Sequence, residues 1–246
     1  VRPYTDVGLN KTMRSILALA LVAISVAGCS PEAQYGQERQ LALPGTRRQI
    51  WAVAPAVNLS GQRVDPLLQA DLAYQQLQQV DGITVIPVNR VAEVYAGLQI
   101  DRVQSQEQAQ LVCEMLGADG LLIPTVTAYD PYDPPKLGAS LQLFGKPAMG
   151  RQKNVNPREL ARRASPGEND SLPPGVPQQF LQVVGMFDAA NGSVRSALND
   201  YAKGRNDPGG PYGVKEYLVS MDRYSGFVYH TLIAELMNHP RLRKSV

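Results

Sequence analysis

The chain has 246 residues with 24 Lys and Arg against 22 Asp and Glu, so its charge is nearly balanced. That balance argues against a protein whose main partner is nucleic acid, which needs a basic stripe. Two cysteines exclude a disulfide framework, and an apolar share of 44% leaves the fold to stand on its own core.

Residues 1–12 precede the first methionine and show no apolar pattern, so they are read as lying outside the native start and are set aside from fold reasoning. Met13-Arg14 then opens an apolar stretch from Ile16 to Ala27, closed by Gly28-Cys29. A basic start, a short apolar segment and small residues before a cut are the parts of a secretory leader. As a helix the stretch reaches roughly 18 Å, against about 30 Å of bilayer hydrocarbon, which makes it a poor permanent anchor. The pattern is that of a bacterial lipoprotein leader, residues 13–28, removed so that Cys29 becomes the mature N-terminus and carries acyl chains. Each buried methylene contributes about 0.8 kcal/mol, and two or three chains hold a domain to a membrane almost permanently. From Ser30 to Arg48 the chain is rich in Gln, Glu, Pro and Gly, as a flexible tether is, giving a tether of residues 29–48.

The folded body, residues 49–240, is expected as a single α/β domain. Ile50 to Pro55 reads as a buried strand meeting a loop. Asp65-Pro66 is an N-cap followed by proline at the first helical position, and Leu67, Ala70, Tyr74 and Leu77 follow at helical spacing. Ile83 to Val88 reads as a second strand, after which Asn89 caps a helix carrying Val91, Val94, Tyr95 and Leu98. Ser105 and Gln108 have capping-box spacing, Ala109, Val112, Cys113 and Leu116 form an inner face, and Gly117 supplies a left-handed stop. Cys113 is expected as a small buried apolar residue.

Gly120 to Tyr129 is a third strand, the proline-rich 130–135 segment turns, and Leu137 to Phe144 returns as a hairpin. Residues 145–178, polar and basic in the middle, read as a long loop. Lys146, Arg151, Lys153, Arg158, Arg162 and Arg163 there suit either a solvated loop or a surface for an anionic partner. Phe180 to Phe187 is a further strand, Ser193 to Lys203 a helix, and Val214 to Leu236 the packing side of a final helix. A basic tail, residues 241–246, closes the chain. The order is β-α-β-α-α-β-β-loop-β-α-α, which implies a mixed sheet covered by helices.

Reactive chemistry has little to work with. His230 and His239 lack the i, i+4 spacing of a helical metal pair, so they are read as structural or surface residues and no metal is expected. No nucleophile elbow, P-loop or dinucleotide fingerprint occurs, and no cofactor is expected. Asp130, Asp133 and Asp188 near strand ends suit a carboxylate hydrolase, but turns favour aspartate for backbone reasons and the chain is read as noncatalytic. Asn58-Leu59-Ser60 fits a glycosylation pattern by coincidence in a bacterial protein. Asn58, Asn89 and Asp130 are the candidate contacts for a ligand or partner, because open α/β sheets gather loops at strand ends. A periplasmic small-molecule or glycan binding module is the alternative function this supports.

The run from Val53 to Gly61, the amphipathic helix after it, the segment Ile83 to Arg90, and the step Leu116-Gly117-Ala118-Asp119-Gly120 together resemble a known periplasmic α/β domain. It is shared by the curli-secretion-channel family and the penicillin-binding-protein activator lipoproteins. Ala56 departs from the pattern, standing where those proteins usually have an aromatic residue. The resemblance implies a noncatalytic outer-membrane lipoprotein that associates with itself or docks on a larger envelope machine from the periplasmic face. Ser30 after the lipidated cysteine is similar to an outer-membrane sorting signal. Without long amphipathic segments to line a pore, an assembly or transport accessory is expected rather than a channel.

Overall fold

A computed structural model describes residues 41–145, 180–203, 205 and 211–244, all within the unit Glu38–Val246. Gln49–Val53 forms β1, flanked in parallel by Ile83–Ile86 (β3) and Gly120–Asp130 (β4). Pro55 has no N–H to give a ladder, so the strand stops before it and resumes as β2, Val57–Asn58, paired with Thr125 and Val126 of β4. The sequence pattern stopped the strand at Pro55 and missed β2. Lys136–Gly145 (β5) runs antiparallel to β4, and Phe180–Asp188 (β6) antiparallel to β5, giving the sheet order β3-β1-β4-β5-β6. The expected mixed sheet with covering helices is what the chain forms.

Helix α1 spans Pro66–Leu77, with the Asp65 carboxylate accepting from the Leu67 and Leu68 amides at 2.9 and 3.3 Å. Helix α2, Val88–Leu98, begins earlier than expected. Extended Pro87 takes the N-cap position without a side-chain bond, and Val88 is buried as the first helical residue. Asn89 is therefore an exposed residue of the first turn, not the cap. In α3, Gln106–Leu116, Ser105 Oγ accepts from the Gln108 amide at 3.3 Å, while Gln108 Oε1 accepts from the Gln104 amide at 2.7 Å, one residue outside the usual box. Gly117 ends it at φ 66°, as expected.

After β6, Asn191 caps α4, Gly192–Ala202. The single final helix expected from Val214 onward is broken. A tight turn at Gly213–Lys215 leads into α5, Glu216–Val219. Ser220 then leaves helical geometry at φ −106°, ψ 111°, and caps α6, Met221–Met237, by accepting from the Arg223 amide at 3.4 Å. A serine that satisfies a free N–H at the start of a new helix outweighs continuing the old one. A short α7, Pro240–Lys244, follows, and its Leu242 is buried, so the expected basic tail begins inside the fold.

Alternate strand residues feed two cores. Trp51, Val53, Leu122, Val126, Leu137, Leu141 and Val183 face α1, α4 and α6. Ala52, Ala54, Leu121 and Ile123 face Val91 and Tyr95 of α2 and Ala109, Val112 and Cys113 of α3. The first core also reaches back before β1. Leu43 is buried, its amide donates to Asp81 O at 2.8 Å, and the Asp81 amide donates to Leu41 O at 2.8 Å. Leu41 to Leu43 thus belong to the folded body rather than to a tether ending at Arg48. Two leucines are too short a run to show any period, and only their pairing with Asp81, in the turn between α1 and β3, makes them structural.

Candidate functional site

The three candidate contacts occupy separate places. Asn58 is spent on its own turn. Its Oδ1 accepts from the Ser60 amide at 3.0 Å and from Ser60 Oγ at 2.7 Å, and its Nδ2 donates to Gln62 O at 2.8 Å. Asn89 stands just past the end of β3, whose Ile86 aligns through Ala52 with Leu121. Asp130 ends β4, accepting from the Tyr132 amide at 3.2 Å. From the level of Leu121 to Asp130 the sheet runs on the order of 30 Å. The spread arises because β4 continues far beyond the ends of its parallel neighbours, which sequence spacing does not reveal.

Asp130 and Asp188 are brought near each other, with Lys136 between them in the ladder. Lys136 Nζ lies 2.7 Å from the Asp188 carboxylate, which also accepts from the Ala190 amide at 2.9 Å. These bonds, Lys136 first and then the backbone N–H, hold the Asp188 carboxyl below the usual range, and Asp188 in turn raises Lys136. A general acid needs the opposite shift, so this is a neutralised pair closing the end of the sheet. Asp133 sits apart in the turn after β4, where residues 131–134 are exposed. Among the described residues no cluster of three His, Cys, Asp or Glu is arranged to hold a metal. His239 Nδ1 accepts from the Arg241 amide at 3.2 Å, close to the start of α7. Cys29, the leader and the basic residues between Lys146 and Arg163 lie outside the described residues.

Two sets of residues were not singled out from sequence. The first lies where α1 meets α4 and α6. Tyr229 donates its hydroxyl to Gln69 Oε1 at 3.0 Å, and Tyr201 donates to Gln76 Oε1 at 3.1 Å. Burial of these two glutamines turns α1 from its expected face, leaving Leu67 half exposed and Tyr74 only partly covered. Burial pushes both tyrosine hydroxyls well above their ordinary pKa, so they remain donors. The spacing of Gln69 and Gln76, two helical turns apart, was the available signal. The Arg205 guanidinium stacks on the Tyr201 ring at 3.9 Å, donates to Tyr201 O at 3.1 Å and reaches Gln79 Oε1 at 3.4 Å.

The second set is on the sheet. The face that α2 and α3 cover over β1, β3 and β4 continues onto β5 and β6 as Gly138, Ser140, Gln142, Gln182, Val184 and Met186. Here Val184 and Met186 are 60% and 59% exposed. Among the described residues, none pairs with the outer edge of β6. From Phe180 to Phe187 the sequence reads as a strand, with Gln182 its one polar side chain. Only the placement of the helices shows that one face is open.

No family model matches the chain, and no curated protein matches it. Among solved structures it is similar to the LpoB C-terminal domain from Salmonella enterica, at 10% identity over 58% of this chain and 85% of that one, with a TM-score of 0.38. It is similar to lipoprotein GNA1162 from Neisseria meningitidis, at 15% identity over 62% and 94%, TM-score 0.35. It is also similar to the hypothetical protein CT253 from Chlamydia trachomatis, at 13% identity over 78% and 96%, TM-score 0.37. No residue's role is carried over from these likenesses.

Proposed function

We propose that this chain is a lipid-anchored protein of the bacterial envelope that works without catalysis, through protein contacts made on the periplasmic side of the outer membrane, as an assembly or transport accessory. The observation that carries the contact role is the open face of β6. A nine-residue edge strand presents Val184 and Met186 to solvent and has neither a charge nor a proline from Phe180 to Phe187, the usual protections of such an edge. The leader pattern ending at Cys29 supports the location.

Both parts have a direct test. Mass spectrometry of the protein from native envelopes is expected to show a chain beginning at Cys29 with acyl mass on it, and Cys29→Ala is expected to leave the leader attached and the acyl mass absent. A bare sulfur in the native product overturns the anchoring. For the contact role, a photo-crosslinking residue at Val184 is expected to give a defined adduct in envelopes, either to another protein or to a second copy. Adding Met186→Asp is expected to reduce that adduct about tenfold, as about 1.4 kcal/mol of lost contact would. Both positions are exposed, so the unfolding midpoint should move little. A β6 face that crosslinks to nothing removes the proposal.

A further inference from the structure

Helix α4 is attached more lightly than the other long helices. Only Leu198 and Ala202 along it are fully buried, and its C-terminal end is held by Tyr201 and by Arg205 just beyond. Against Tyr201 lies His230 of α6, with ring centroids 5.0 Å apart. His230 Nδ1 is buried without a hydrogen-bond partner among the described residues. A proton added to this imidazole would sit near the Arg205 cation, with its new buried N–H lacking an acceptor. We propose that His230 makes the seam between α4 and α6 an acid-labile latch: uptake of one proton releases α4 while the sheet and α6 stay folded.

Among the described residues nothing compensates the charge. From α4 and its end His230 meets Tyr201 and Arg205, and the neutral Gln76 of α1 and Gln79 just after that helix reach those two. From α5, Tyr217 packs edge-on to Tyr201, and the Glu216 carboxylate is spent on Arg223 at 3.0 Å. Burial first, then the Arg205 charge, pushes the His230 imidazole down to about 4 from its ordinary 6.5. A base depressed in the folded state contributes stability that is complete above its unfolded pKa and fades as pH falls toward the folded one. Between pH 7 and pH 5 this one group is expected to reduce the folding constant of the part it holds roughly twentyfold.

The measurement is made on the full chain in detergent micelles, with His239→Asn leaving His230 as the sole imidazole. Hydrogen exchange at the amides of residues 193–203 is expected to speed up about twentyfold from pH 7 to pH 5, after correction for intrinsic rates, while amides of β4 and β5 keep their protection. In His230→Gln the excess is expected to vanish. If that variant fails to fold, Arg205→Gln keeps the histidine and removes the neighbouring cation, and is expected to raise the imidazole's NMR titration midpoint and weaken the acid response. The same pH dependence with and without His230 overturns the latch. So does exchange that rises equally across β4 and β5, because the proton then loosens the whole domain, and so does an imidazole that titrates at 6 or above.

Discussion

Trp51→Ala is expected to lower stability by about 3–5 kcal/mol, a large share of what holds a domain of this size. Trp51 is 1% exposed in β1, between two parallel strands, and its indole N–H donates to Gln49 Oε1 at 2.8 Å. Gly120 lies beside it in the register, where an added Cβ would meet Trp51 Cδ1 at 3.3 Å and Leu143 Cδ1 at 3.1 Å. The ring thus fills space that the backbone has been kept bare to give it, and no neighbour can collapse into the void without moving two strands. By circular dichroism the melting temperature should fall by roughly 10 °C. Trp51 is the one tryptophan in the chain, so fluorescence cannot follow this variant. A fall of under about 2 °C would mean that Trp51 is not buried between β3 and β4.

Gly185→Val acts by the opposite mechanism. An added Cβ at Gly185 would collide with Phe187 Cε2, lie 2.9 Å from Phe187 Cζ and stand 3.3 Å from Leu232 Cδ2. Phe187 cannot yield cheaply, because its ring meets Phe227 edge to face at 5.9 Å under α6. Overpacking of this kind costs about 1–3 kcal/mol and more where the backbone must shift. Chemical denaturation should show the midpoint falling, with α6 separating from β6. Gly97 is the control, since nothing lies within 4 Å of its added Cβ in α2. Gly97→Ala is expected to be neutral or to stabilise by up to about 1 kcal/mol. Equal losses at the two glycines would break the argument.

The open face of β6 and the seam of α4 draw on the same feature of the fold. The helices cover the two sides of the sheet unequally. One side is closed by α1, α4 and α6 along its length, whereas α2 and α3 leave part of the other bare. Contact with a partner and acid release therefore concern different sides, and a variant such as Met186→Asp should leave the pH response of α4 unchanged.

What the residues alone determined is whatever depends on near neighbours in the chain. The cap at Asp65, the stop at Gly117, the hairpin from β4 to β5 and the alternation that makes β4 a strand are satisfied within a few residues, so their signals are complete in the text of the sequence. The proposed leader pattern ending at Cys29 is likewise a local run of neighbouring residues. Only the tertiary structure decided that β2 resumes beyond Pro55, that Leu43 joins the core, that α1 turns Gln69 and Gln76 inward, and that Asn58, Asn89 and Asp130 stay apart. It also decided which side of β6 meets solvent. Each of these depends on a partner far along the chain, such as Tyr229 for Gln69 or Asp81 for Leu43, and the favourable energy of such a contact exists only once the intervening chain has been folded into place.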